Sequence, residues 1–205
     1  MPVPWLIRLL LLLLCGGEAA GASPITNCAA LLRLTPAEAS QAIPVRVRGI
    51  LTCYNISAQL CFVQDDTAGV YCYPSRWPAD LEAGQEVEVT GESSSGRFSS
   101  IVNLAVIRPT GRRGSVEPKV VSLEQLNTGQ YDSQWIEVRG VVQDQSDLRD
   151  VTRLDLWTGG SSAQVMIFGG QIAGTNLVNA RIAARGVAGT FYRDGQLSGF
   201  GLFAS

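Results

Sequence analysis

The sequence predicts an all-β fold, two tandem five-stranded OB-type barrels with short connecting helices. Three observations lead to this. Short runs of alternating apolar and polar residues recur along the chain, turn-forming clusters separate them, and the second half restates the first. Arg48-Gly49 matches Arg139-Gly140 at an offset of 91, and Gly91 matches Gly186 at an offset of 95. A glycine thus interrupts strands one and four of each unit, at Gly49 and Gly91 and again at Gly140 and Gly186. A strand that bends to serve both sides of a small barrel needs such a residue, because a side chain at the bend crowds its neighbour. Five strands with a connecting segment between the third and fourth describe the OB barrel. Two β-sandwiches are the alternative.

Residues 1–22 have the form of a secretory signal peptide. Arg8 is the only charge ahead of the apolar run Leu9 to Cys15, and Ala20-Gly21-Ala22 places cleavage between Ala22 and Ser23. The apolar stretch is shorter than the roughly 20 residues a membrane span requires. An uncleaved anchor, or acylation at Cys15, are the other readings. The chain is expected to be exported, periplasmic or extracellular, and to touch a membrane only through a tether.

A lead-in segment, 23–43, contains Thr35-Pro36-Ala37-Glu38, the pattern of a capped helical turn. The first unit, 44–110, holds strands near 45–52, 60–64, 70–73, 85–92 and 101–107, with a short helical piece expected near Asp80-Leu81-Glu82. Pro109 to Pro118 reads as a connection, giving a linker at 111–120. The second unit, 121–205, opens with a helix candidate at Ser122 to Leu126. Strands follow near 135–142, 154–157, 164–168, 181–187 and 196–203.

The chain contains no histidine. That excludes Ser-His-Asp and Cys-His nucleophile systems, histidine acid–base chemistry and histidine-ligated metals. No catalytic, cofactor-binding or metal-binding residue is expected. Asp65 and Asp66 sit at a turn, and Asp144, Asp147 and Asp150 lie in a loop that lacks the central glycine and terminal glutamate of a calcium loop. With 16 basic and 18 acidic residues the net charge is −2. No basic stripe is present, so nucleic acid is not the expected partner.

Four cysteines follow the leader: Cys28, Cys53, Cys61 and Cys72. Strand pairing about Ser57 would set Cys53 opposite Cys61, a geometry that permits a disulfide when the Cα atoms lie about 4.4–6.8 Å apart. Four small buried hydrophobes are the alternative. Phe62, Tyr71, Tyr73 and Trp77 are the candidate ligand face, because OB barrels bind on the strand 2–3 surface. The competing reading places two of them in the core. Trp135 and Trp157 are expected to pack, at the contact between barrels. Arg46 and Arg48 share one strand face, as do Glu86 and Glu88, and the pairs would ladder if strands one and four are neighbours.

Several runs together resemble a known family. They are Val45 to Gly49 through Phe62 to Val70, Leu81 to Gly91, Asp132-Ser133-Gln134-Trp135 through Val142, and Asp194 to Phe203. The chain over about 29–205 resembles the periplasmic tandem OB-type sensor region of bacterial two-component sensor histidine kinases. The resemblance implies a non-catalytic input module for an unidentified small ligand or protein, continuing into a membrane helix and a kinase. A free-standing secreted OB-fold binder of oligonucleotides or glycans is the second reading.

Overall fold

The structure is a computed structural model that describes residues 23–169, 172 and 174–204. The expected leader, with Cys15 and Ala22, lies outside the described residues.

Two short helices come first, α1 (Cys28–Leu32) and α2 (Pro36–Ala39). Asn27 caps α1 by accepting from the Ala30 N–H at 2.8 Å. Thr35 and Glu38 form a reciprocal capping box around Pro36, satisfying donors that the first turn leaves free. Strands β1 (Pro44–Asn55), β2 (Leu60–Gln64), β3 (Gly69–Pro74), β4 (Gln85–Ser94) and β5 (Ile101–Arg113) then close into a barrel of order β1-β2-β3-β5-β4. All neighbours are antiparallel except β3 and β5.

Strand β1 serves both sides of the closure. It pairs with β4 from Pro44 to Ile50 and with β2 from Ile50 to Asn55. The changeover falls beside Gly49, where a Cβ would overlap the carbonyl oxygen of Gln64. Across the first part of β1, Arg46 reaches Glu88 at 2.9 Å and Arg48 reaches Glu86 at 2.6 Å. Arg48 is directly opposite Glu88, so the ladder runs diagonally. These pairs are exposed and each contributes at most about 1 kcal/mol.

The second half holds β6 (Lys119–Val120), α3 (Leu123–Leu126), β7 (Trp135–Leu148), β8 (Val151–Thr158), β9 (Ser161–Phe168), β10 (Arg181–Arg193) and β11 (Gln196–Ala204). They form a six-stranded sheet, β10-β11-β9-β8-β7-β6, with a further pairing of β10 to β7. Strand β7 repeats the behaviour of β1, pairing with β10 from Trp135 to Val141 and with β8 from Val141 to Leu148. At Gly186 a Cβ would stand 2.7 Å from the Phe203 carbonyl oxygen, too close for any side chain.

Three apolar clusters hold the molecule. Val47, Leu51, Val63, Val70, Val87 and Val89 fill the first barrel, closed at one end by Cys28 and Leu31 of α1. Ile136, Val138, Leu154, Leu156, Val165 and Leu202 fill the second sheet, closed by Leu123 and Leu126 of α3. The third cluster joins the halves: Cys53, Leu60 and Phe62 from the first, Phe168 and Val187 from the second.

Two expectations fail here. Residues 80–82 are not helical, although Leu81 is buried; the Gly84 N–H donates to the Leu51 carbonyl of β1 instead of closing a helical turn. The Cys53–Cys61 disulfide is also wrong. Four residues, Ile56 to Gln59, separate Asn55 from its partner Leu60, so Cys61 faces Tyr54 and Cys53 faces Phe62. That one-residue slip sends the two sulfurs to opposite faces. Cys61 lies in the barrel core and Cys53 in the cluster between the halves, both as free thiols.

Candidate binding cleft between the two sheets

The first wall of the cleft comes from alternation in β3. Val70, Cys72 and Pro74 point inward, which leaves Tyr71 and Tyr73 on the outer face. Phe62 stands opposite Tyr71 on β2, and their rings meet edge to face at 5.2 Å. The Tyr71 hydroxyl donates to the Gln59 carbonyl at 2.8 Å, which fixes the ring. Tyr73 is 41% exposed.

The other wall combines the β4–β5 turn with the second sheet. The Arg97 guanidinium lies over the Tyr192 ring at 3.8 Å and donates to the Gly195 carbonyl at 2.9 Å. Phe98, 43% exposed, packs edge to face on Phe200 at 5.2 Å. Below them the Ser99 hydroxyl donates to the Asp132 carboxylate at 2.6 Å, and the Ser133 hydroxyl donates to the same oxygen at 3.2 Å. Burial pushes the Asp132 carboxyl above its ordinary range, and the two hydroxyls pull the other way. The open cleft has a volume of about 500 Å³ and is lined among others by Tyr71, Tyr73, Phe98, Ser99, Asp132 and Tyr192. That size suits a small organic ligand or part of a polymer.

Specific ties hold the walls in register. The Trp135 N–H donates to the Gln64 side-chain carbonyl at 2.7 Å. Gly69 lies directly against the Ser133 carbonyl oxygen, and Ser133 is held at φ 66. Phe62 stacks on Phe203 at 6.0 Å. The cleft therefore has a packed floor.

Three of the four expected ligand-face residues, Phe62, Tyr71 and Tyr73, line this cleft. Phe62 is only 4% exposed and belongs to the contact between the halves. Trp77 is not part of the lining; it packs beside Tyr54 at 5.8 Å and meets the edge of Tyr73 at 6.3 Å. Trp135 does join the contact cluster. Trp157 does not: it is 47% exposed and lines a separate recess of about 490 Å³ with Asn127, Asp155, Gln164 and Arg193. Arg97, Phe98, Asp132 and Tyr192 escape the sequence reading. Phe98 carries a signal, a lone aromatic in a serine-rich turn; Asp132 and Tyr192 carry none.

Two of the other candidate carboxylates are occupied locally. Asp65 accepts from the Thr67 N–H at 2.8 Å, the Ala68 N–H at 3.0 Å and the Cys28 N–H at 2.8 Å, which pins α1 to the β2–β3 turn. Asp147 accepts from the Thr152 hydroxyl at 2.7 Å. Among the described residues, no group of three or more Cys, Asp or Glu side chains is placed to hold a metal ion.

No family model and no curated protein matches the chain. Solved structures do. The structure of a murine DNA binding protein bound with double-stranded DNA is 10% identical, with a TM-score of 0.38, over 79% of this chain and 94% of that one. Fission yeast Pot1 with single-stranded DNA is 10% identical, with a TM-score of 0.40, over 87% of this chain and 83% of that one. The resemblance to a periplasmic sensor region of two-component histidine kinases is not sustained: no family model or curated protein of that kind matches the chain, and the two structures just named are of proteins with bound DNA. The expectation that nucleic acid is not a partner is corrected too. It rested on the lack of a basic stripe alone, and aromatic rings that stack unpaired bases contribute to single-strand binding beside the basic groups.

Proposed function

We propose that both units are OB-type barrels and that the chain is a non-catalytic binder of single-stranded oligonucleotides, which enter the cleft between them. One observation carries the reading. Tyr71, Tyr73, Phe98 and Tyr192 converge on one opening from two separate sheets, with Arg97 at its rim. Aromatic faces accept unpaired bases of any sequence, and each stacked base contributes about 1–3 kcal/mol. The order β1-β2-β3-β5-β4, with β3 and β5 parallel, is the order expected of an OB barrel. The second sheet supports the same reading, because β9 pairs with β11 in parallel and β10 closes on β7.

Duplex DNA fits this site poorly, since its bases are already stacked and its phosphates call for a basic surface. The residues 1–22 support export, and we extend the proposal to a secreted protein. The test is a fluorescence titration of the chain with end-labelled oligothymidine and oligoadenosine, matched duplex and neutral oligosaccharides. Saturable binding of the single strands is expected. Binding of the oligosaccharides alone, or of nothing, would overturn the proposal.

A further inference from the structure

Three of the four cysteines that follow the expected leader meet inside the first barrel. The β2–β3 register pairs Gln64 with Gly69, Val63 with Val70 and Phe62 with Tyr71. The paired register ends at Phe62 and Tyr71, and the next residue on each strand, continued in step, is Cys61 on β2 and Cys72 on β3. Both residues are fully buried and belong to the same core cluster. Cys61 is close enough to help push the Cys72 thiol well above its ordinary range. Directly opposed residues in an antiparallel ladder have Cα atoms about 4.5 or 5.5 Å apart, within the roughly 4.4–6.8 Å that a disulfide spans.

The other two cysteines are placed differently. Cys53 points to the opposite face, into the cluster between the halves. Cys28 enters the core from α1, where burial and the neighbouring Asp65 carboxylate hold its thiol well above the ordinary range.

We infer that Cys61 and Cys72 form a disulfide across the β2–β3 ladder when the chain folds in the presence of a low-molecular-weight disulfide. The Cys61 thiolate attacks one sulfur of that oxidant, forming a mixed disulfide and releasing one small thiol. The Cys72 thiolate then displaces the second. The two protein S–H protons end on the two released thiols, so two protein thiols are oxidised and one small disulfide is reduced.

The geometry also dictates when this happens. In the closed barrel the neighbouring Cys61, together with burial, keeps the Cys72 thiol protonated, and both residues are fully buried. The bond therefore forms before the barrel closes. Its consequence lies on the outer face. Phe62 follows Cys61, and Tyr71 and Tyr73 flank Cys72, so the cross-link fixes the strands that display the aromatic wall. This holds whatever ligand the cleft takes.

The test is to refold the reduced, denatured chain with oxidised and reduced glutathione, then alkylate in denaturant without a reductant. Cleavage at Asp65 separates Cys61 from Cys72. The expected result is one linked peptide joining the Cys61 and Cys72 fragments, with Cys28 and Cys53 alkylated and the link lost on reduction. C53A should keep the link, and C61A should leave Cys72 alkylated. The readout is taken on denatured protein, so a variant that folds poorly is still informative. Alkylation of all four cysteines, or a link through Cys28 or Cys53, would overturn the inference.

Discussion

Gly69 lies against the carbonyl oxygen of Ser133 so closely that a Cβ on Gly69 would overlap that oxygen. Both atoms involved are backbone, so neither wall of the cleft can give way by a rotamer change. Gly69→Ala should therefore destabilise the protein by about 1–3 kcal/mol, the usual cost of an overpacked contact. It should also lower affinity in the cleft while the far-UV circular dichroism stays unchanged. A denaturant midpoint equal to that of the wild type would refute the tight docking.

Tyr73 and Phe98 stand on opposite walls, and both rings are open to solvent. Replacing either with alanine should weaken binding of a single-stranded oligonucleotide by about 1–3 kcal/mol, or 5- to 150-fold. Trp157→Ala, in the separate recess, should leave binding of a short oligonucleotide unchanged. Arg97 is the one cation among the described lining residues. The salt dependence should accordingly be shallow, with a slope of about −0.7 for each phosphate contacted. A slope several times steeper would point to a phosphate-binding surface elsewhere.

The Asp132 carboxyl sits above its ordinary range mainly because it is buried. A carboxyl whose folded-state pKa is raised favours the folded state most when protonated. Its contribution is present below the unfolded value and is lost as pH rises through the folded one. Asp132→Asn keeps an acceptor for Ser99 and Ser133 and removes the charge. The variant should gain stability over the wild type as pH rises from the ordinary aspartate range, and should bind an anionic oligonucleotide more tightly at neutral pH. Parallel stability curves for the two proteins across that range would contradict this.

Glu137 is buried between Arg185, at 2.8 Å, and Arg139, at 2.8 Å. The hydrogen bonds to Arg185 and then to Arg139 hold its carboxyl below the usual glutamate range. The sign is opposite to that of Asp132. The stabilisation is present above the unfolded glutamate value and lost as pH falls through the lower folded one. Glu137→Gln should lower stability at neutral pH and flatten the acid limb of the stability–pH curve. An acid limb as steep as the wild type's would assign that limb to other carboxylates.

The first-barrel strands were legible because each carries its own signal. Val45, Val47, Val87 and Val89 alternate with charged residues, and the pattern needs no partner to be read. The outward pair Tyr71 and Tyr73 follows from the same alternation. The other wall was not legible. Asp132 and Tyr192 meet Ser99 and Arg97 only because two sheets dock, and nothing in the residues around them marks that approach.

Local pattern placed the starts of ten strands to within about three residues, missing β6 and the ends of β5, β7 and β10, which run on to Arg113, Leu148 and Arg193, and composition excluded histidine chemistry. These are properties of short windows and of composition. The tertiary structure alone decided which cysteines are neighbours and what the cleft contains. A loop of four residues sets the β1–β2 register to 55 against 60, which takes Cys61 away from Cys53 and into the core cluster that holds Cys72. Register depends on counting across a turn whose geometry periodicity does not encode, and a slip of one residue moves every side chain to the other face. The cleft depends on packing between residues far apart in the chain, Phe62 on Phe203 and Gly69 on Ser133, which no local pattern records.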